Sequence, residues 1–331
     1  MLLFNKFYKS LYGLKVIIMS LYLRFSIGNK EEKTIFIVAI HGSLHLLQLC
    51  LHYIPSNIQV IVIANDLTIF ERKWITQNLR VSKIINIPRA LTHGAILDIL
   101  IFAIKDSFCT MDYDCFVLDD SLWENMFTID EETQCNVYFS EFNPDLNMDI
   151  PHTCLVTLNT DKYRRLIKKY KIGCNQVKNF DLLTSKVKQK LKEVGVDKSN
   201  LPERRKVILD TLKTLQMLGV AENYPIEYRA RLQNTWKEGQ KIFHVGGTSY
   251  WHFSKSEETH QGGYFWYRAL EFLPDNSLKA YYEDEFPVIR NEEFKHKLSK
   301  STGDLHTGFI SFCDEIINEG YNLKVLVEKY Y

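Results

Sequence analysis

From Thr34 onward the chain alternates between solidly apolar runs and polar stops. Thr34–Ile40 (TIFIVAI) and Gln59–Ala64 (QVIVIA) are unbroken and rich in branched residues, the pattern of strands buried on both faces. Lys83–Ile87 predicts a short third strand stopped by Pro88, and Cys115–Leu118 a fourth. Helices fall between them. Ser43 can cap Leu44–Tyr53, Thr68–Leu79 is a second helix, and Thr92 can cap a third that runs through Lys105 with His93, Gly94 and Asp98 in its first turns. Strand–helix alternation of this kind predicts an α/β fold, a mostly parallel sheet flanked by helices. Right-handed crossovers bring the carboxyl ends of the strands to one edge, where open α/β sheets hold ligands. His41, Asn65, Asp66, Asp119 and Asp120 then share that edge, with His93 and Gly94 beside them.

The pattern loosens after Asp130. Val137–Phe142 and Thr153–Leu158 read as strands, and Asp161–Lys171 and Asp181–Val194 as helices. A further helix opened by Pro202 carries Ile208, Leu212, Leu215 and Leu218 at helical spacing, and Gly195 and Gly219 suit the ends of the last two helices. The glycine–aromatic segment His260–Tyr267 reads as a mobile lid, a sugar-stacking platform or a loop over the core. A last helix is expected from about Leu305 to Asn318.

Residues 1–30 differ from the rest. Leu2, Leu3, Phe4, Phe7, Leu11, Tyr12 and Leu14 are interleaved with Lys6, Lys9 and Lys15, and no acidic residue precedes Glu31. The longest uncharged run there, Val16–Leu23, is far short of the ~20 residues that a spanning helix needs. A basic amphipathic helix lying on an anionic membrane surface fits this composition, as does a helix packed on the body of the protein. The expected organisation is a basic segment (1–30), a regular strand–helix half (31–150), a more irregular half (151–290) and a helical tail (291–331).

Composition narrows the choice by exclusion. A net charge of +1 over 331 residues gives no electrostatic case for nucleic-acid binding. Seven scattered cysteines without a CxxC pair read as reduced, buried thiols in the cytosol. No GxGxxG follows the first strand and no GxxxxGK[ST] occurs, which disfavours a standard dinucleotide site and a P-loop.

Two stretches carry candidate chemistry. In Tyr113–Glu124 an apolar run ends in Asp119 and Asp120, then Ser121 and Glu124. Paired acids at a strand end can hold a hard divalent cation shared with substrate phosphates. Asp120 can equally cap a helix, and both readings stay open at this point. In Lys241–His252 a short strand leads into His244, followed by Gly246, Gly247, Thr248 and Ser249. Paired glycines allow backbone N–H groups to approach a ligand, and a histidine there can meet a metal or a phosphate. A tight turn with a packed histidine is the bland alternative.

With this strand order and these two stretches, residues 34 to 252 resemble a GT-A-type nucleotide-sugar glycosyltransferase in pattern. The resemblance implies a DxD-type acidic motif that binds manganese or magnesium on a nucleotide diphosphate sugar, its place here taken by Asp119 and Asp120, with His244 as a late partner. It implies nucleotide contacts at His41, Asn65, Asp66, His93, Gly94 and Asp98, and diphosphate contacts at Gly246, Gly247, Thr248 and Ser249. A strict DxD would need an acid where Ser121 stands, so a metal-independent or inactive member stays open. An inverting enzyme needs a carboxylate base, for which Glu141 and Asp181 are candidates. The implied role is hexosyl transfer to a carbohydrate or glycolipid acceptor in the cytoplasm, and the basic segment 1–30 suits a transferase lying peripherally on the inner face of a membrane and acting in surface polysaccharide synthesis. Two alternatives are a sugar nucleotidylyltransferase and a non-catalytic scaffold. The first calls for a glycine-rich basic loop after the first strand, and His41-Gly42-Ser43 has neither the basic residue nor the repeat.

Overall fold

The structure is a computed structural model that describes residues 2–28, 30–87, 89–138, 140–143, 148–177, 179–199, 210–229, 241–248, 261–294 and 307–321. A seven-stranded sheet organises them. Its strands are β1 (Thr34–Ile40), β2 (Gln59–Asn65), β3 (Lys83–Ile87), β4 (Ser107–Met111), β6 (Cys135–Val137), β9 (Leu155–Asn159) and β10 (Ile226–Tyr228), in the order β10-β6-β9-β4-β1-β2-β3. Strands β1 to β4 run parallel, whereas β9 lies antiparallel between β4 and β6. The mixed α/β fold with a mostly parallel central sheet is the one the sequence predicts.

Alternation along the buried strands sorts side chains into two cores. Ile35, Ile37 and Ala39 of β1, with Val60, Val62 and Ala64 of β2, face one core. That core is closed by α2 (Leu44–His52), α3 (Ile69–Asn78), α8 (Gln261–Glu271), α9 (Asn276–Glu285) and α10 (Thr307–Gly320). Phe36, Ile61 and Ile63 face the other, covered by α1 (Leu2–Ile27), α4 (His93–Ala103), α5 (Thr160–Tyr170), α6 (Ser185–Lys192) and α7 (Lys213–Ala221). All seven cysteines are buried and unbridged, as expected of thiols in apolar runs.

The decisive departure concerns the fourth strand. Cys115–Leu118 is not in the main sheet. Its first three residues form β5 (Cys115–Val117), which pairs antiparallel with β11 (Ile242–His244). The fourth position belongs to β4, whose SFCTM run is too short and polar to stand out by hydropathy yet is almost wholly buried. Val137–Phe142 is likewise divided. Val137 ends β6, while Ser140–Asn143 (β7) pairs with β8 (Met148–Pro151).

Elsewhere the corrections are smaller. Thr68 caps α3 through a full capping box with Glu71, and Thr92 caps α4 through Ala95 N. Ser43 stands at the N-cap of α2 but donates back to Ile40 O at 2.6 Å instead of capping. Asp181–Val194 resolves into a 3-10 turn (Phe180–Leu182) and then α6, which starts after Thr184. Gly219 lies inside α7 instead of ending it. The Pro202–Ile208 part of its expected helix lies outside the described residues. The glycine–aromatic segment is no lid from Gln261 on. It is α8, with Phe265 and Trp266 buried in the core.

Candidate metal and nucleotide site

Because β4 is parallel to β1, its carboxyl end opens on the same edge as those of β1 and β2. Asp112 follows β4 directly, and its N–H donates to Cys154 O at 2.7 Å. Tyr113 and Asp114 form the turn into β5. The β5–β11 pairing sets His244 opposite Cys115, so the imidazole returns over the two aspartates. His244 Nε2 lies 3.8 Å from Asp112 Oδ2 and 3.4 Å from Asp114 Oδ1. One ligand atom from each of the three lies within 4.8 Å of the others.

The donor set suits a hard divalent cation. Octahedral ligands at about 2.1 Å stand roughly 3 Å from their neighbours, so the three side chains, with ligand atoms within 4.8 Å of one another, would draw together around an ion. The electrostatics point the same way. Burial, and after it the neighbouring Asp114, push the Asp112 carboxyl well above its ordinary range. Burial also opposes ionisation of Asp114, but the adjacent His244 and the Thr248 hydroxyl outweigh it and hold that group low. Burial disfavours the charged His244 as well, yet Cys154 and Asp114 together raise it well above its ordinary value. Two acids this close cannot both ionise cheaply without added positive charge, which a bound cation supplies.

A glycine turn supports the cluster. Gly246 and Gly247 both adopt left-handed backbone, at φ +70 and +69, which costs glycine nothing. The turn carries Thr248 back to Asp114, where its hydroxyl donates to Oδ2 at 2.7 Å. Gly262, in the first turn of α8, packs so closely on Gly246 and Gly247 that a Cβ there would collide with their backbone. Around the aspartates stand two histidines held neutral. His93, at the start of α4, has Nε2 3.9 Å from Asp112 Oδ1 and is lowered by burial. His152 is pushed down to about 3 by burial and then by Lys213 and His244.

Of the residues read from the sequence, the structure gathers His93, His244, Gly246, Gly247 and Thr248 at this place. It does not gather Asp119 and Asp120. Asp119 pairs with Lys241 Nζ at 3.0 Å and caps its own 3-10 turn through Ser121. Both acids line an open groove past the far end of β5, together with His52, Tyr53 and Glu315. The acid pair able to reach His244 is Asp112 and Asp114. The missing β4 had shifted the expected motif by one strand. The i, i+2 spacing of Asp112-Tyr113-Asp114 was the available signal, and unlike Asp119-Asp120-Ser121 it is a true DxD.

Other candidates are engaged in structural contacts. His41 Nδ1 meets Glu71 Oε2 at 2.9 Å, and its ring lies against Phe286. Asn65 is bonded both ways to the backbone of Leu91 at 2.9 Å, which braces the loop into α4. Asp98 accepts from Cys174 N at 2.9 Å, and Gly94 lies against the backbone of Cys174 and Asn175. Asp66 sits exposed on left-handed backbone at φ 66. Asp181 pairs with Lys198 at 2.6 Å on an exposed turn. Glu141 lies in β7. Ser249 lies outside the described residues.

A mixed sheet with a DxD-and-histidine cluster at its carboxyl edge fits the transferase reading to which the pattern resemblance points. The comparison with protein families narrows this. Residues 22–163 match the StrH glycosyltransferase N-terminal domain. That stretch holds β1 to β9 with Asp112 and Asp114, while His244 lies beyond it. The match supports the glycosyltransferase resemblance and leaves the GT-A subtype as an expectation. No curated protein matches the chain. Similar solved structures include the glycosyltransferase GlyE of Streptococcus pneumoniae TIGR4, at 13% identity and TM-score 0.35, covering 62% of this chain and 46% of that one. Another is 4-diphosphocytidyl-2C-methyl-D-erythritol synthase of Anaerococcus prevotii DSM 20548, at 9% identity and TM-score 0.36, covering 62% and 91%. At such TM-scores neither carries an argument here, and the chain spans less than half the length of GlyE.

Proposed function

We propose that this protein transfers a sugar, of the hexosyl type, from a nucleotide diphosphate donor to a hydroxyl of a carbohydrate or glycolipid acceptor. The observation that carries the reading is the convergence of Asp112, Asp114 and His244 at the carboxyl edge of the sheet. These side chains would hold manganese or magnesium. Bound there, the cation would supply Lewis-acid stabilisation of the charge that develops on the departing diphosphate.

The chain's own residues do the rest. Thr248 orients Asp114 through its hydroxyl, and Asp112 is fixed by its backbone bond to Cys154. The Gly246-Gly247 turn gives backbone N–H groups close access to diphosphate oxygens. His93, held neutral beside Asp112, can donate or accept one hydrogen bond from the donor without adding charge. In this reading residues 31–150 supply most of the donor side and residues 151–290 the acceptor side, although β9 and β10 of the second stretch complete the same sheet. Glu141 and Asp181 are the candidate acceptor bases if the reaction inverts, and Glu141→Gln and Asp181→Asn test them.

The test is release of nucleoside diphosphate from a panel of nucleotide sugars, with and without manganese or magnesium and a generic hydroxyl acceptor. Metal-dependent release from one donor, lost in Asp112→Asn, supports the proposal. Release of pyrophosphate from a nucleoside triphosphate and a sugar 1-phosphate, with no turnover of any nucleotide sugar, would replace it by nucleotidylyl transfer.

A further inference from the structure

Helix α1 carries two apolar faces, and among the described residues only one of them is covered. Val16, Leu23 and Ile27 are buried against the body of the protein. Ser20 Oγ donates to Val16 O at 2.7 Å and lies 3.1 Å from Ile99 O of α4, and Arg24 Nε donates to Ala103 O at 3.0 Å. These contacts with α4 fix the rotation of α1. Lys83 Nζ closes its carboxyl end by donating to Ser26 O at 2.6 Å.

The opposite face points outward and is just as apolar, with Tyr22 at its edge donating through its hydroxyl to Asn86 O at 3.2 Å. Leu14 is 55% exposed, Ile17 55%, Ile18 57%, Leu21 50%, Tyr22 43% and Phe25 82%. At 100° per residue these six span one continuous arc, nearly opposite Val16, Leu23 and Ile27. In the sequence the same spacing of three and four runs back through Leu11 to Phe7. Single exposed hydrophobes are ordinary on a protein surface, but a continuous stripe of large ones marks a surface that meets something.

Charge identifies the occupant. Lys15 falls on one flank of the stripe, where a long basic side chain can lay its stem along apolar surface and keep its charged end in the headgroup layer, while Arg24 on the other flank is tied through Nε to Ala103 O. Residues 1–30 hold Lys6, Lys9, Lys15, Arg24 and Lys30 and no acid, in a chain whose net charge is only +1. Among the described residues no helix is long and apolar enough to cross a membrane. We propose that the outward face of α1 lies in the surface of an anionic lipid bilayer, with the helix axis in the membrane plane. This assignment stands on α1 alone and is independent of the glycosyl-transfer reading. A second copy of the chain would bury the stripe equally well, but it would bring basic flanks against basic flanks.

Vesicle flotation of the full chain tests the proposal, using vesicles of phosphatidylcholine alone and of phosphatidylcholine with phosphatidylglycerol. The protein should float with the anionic vesicles and lose affinity at high salt, by about fivefold for each basic side chain screened. Ile18→Glu with Phe25→Glu should abolish flotation. Because both positions are exposed, the melting temperature should hold, which separates lost docking from lost fold. Lys15→Gln should weaken anionic binding alone. Absence of flotation with either vesicle would overturn the proposal. So would a dimer that Ile18→Glu with Phe25→Glu converts to monomer without any vesicle binding, since the face would then join two copies. Equal, salt-independent binding to neutral vesicles would also overturn it.

Discussion

Glu71 is a fully buried carboxylate held by four donors. Gly42 N and the Tyr282 hydroxyl meet Oε1 at 2.8 and 2.9 Å, and Thr68 N and His41 meet Oε2, each at 2.9 Å. The network ties the ends of β1 and α3 to α9, and it has a definite pH signature. The bond to Glu71 raises His41 above its ordinary 6.5 against the opposing effect of burial. That contribution is complete below 6.5 and is lost as pH rises through the folded value. Burial pushes Glu71 up, but His41, Gly42 and Thr68 outweigh it and hold it below its ordinary 4.5. Its contribution is present above 4.5 and lost as pH falls through the folded value. The pair is therefore most stabilising between about 4.5 and 6.5. His41→Ala should cost about 1.5–3 kcal/mol at pH 6 and less at pH 8.5, read by urea unfolding. An equal cost at both would mean that the imidazole acts only by packing on Phe286. At the cluster of Asp112, Asp114 and His244 the corresponding contrast is between Asp112→Asn and Asp119→Asn. The first should abolish nucleoside diphosphate release. The second, which removes a surface contact with Lys241, should leave it within about twofold.

Among elements, those with strong local signals are legible in the sequence. The long branched runs of β1 and β2 and the capped helices α3 and α4 fell within a residue or two of their observed bounds, since burial on both faces leaves no polar position to confuse the pattern. β4 was not legible. Five residues with a serine, a cysteine and a threonine give too little hydropathy, and only pairing with β1 and β9 makes them a strand. That single omission moved the acidic motif to the next apolar run. His244 stands out in the sequence because a glycine pair follows it, whereas the i, i+2 spacing of Asp112 and Asp114 gains meaning once β11 pairs with β5 and sets His244 over them. The aromatic segment misled for a related reason. Gly262 suggests a loop, but its glycine is needed inside helix α8, where a Cβ would strike Gly246 O and Thr248 N. Gly262→Ala should therefore destabilise by about 1–3 kcal/mol. It should also weaken metal binding by displacing the turn that holds Thr248 on Asp114, as calorimetric titration with manganese would show. Gly13→Ala, inside α1 with nothing within 4 Å of the new Cβ, should instead raise stability by up to about 1 kcal/mol in thermal unfolding.

For the whole molecule, the sheet places the cluster between layers that could not each build it. β4 and the turn after it give the aspartates, and β11, from the later part of the chain, returns the histidine. α8 then locks the glycine turn from the far side. A nucleotide diphosphate with its cation would join these parts, so ligand binding should stabilise the molecule as a unit. The most direct measurement is thermal unfolding with a panel of nucleoside diphosphates, with and without manganese, for the unaltered chain, Asp112→Asn and Asp119→Asn. One diphosphate at 100 times its dissociation constant should stabilise the unaltered chain and Asp119→Asn by about 2.7 kcal/mol, only when manganese is present, and Asp112→Asn not at all. A metal-dependent shift that survives Asp112→Asn and disappears in Asp119→Asn would contradict the account and place the cation in the groove beyond β5.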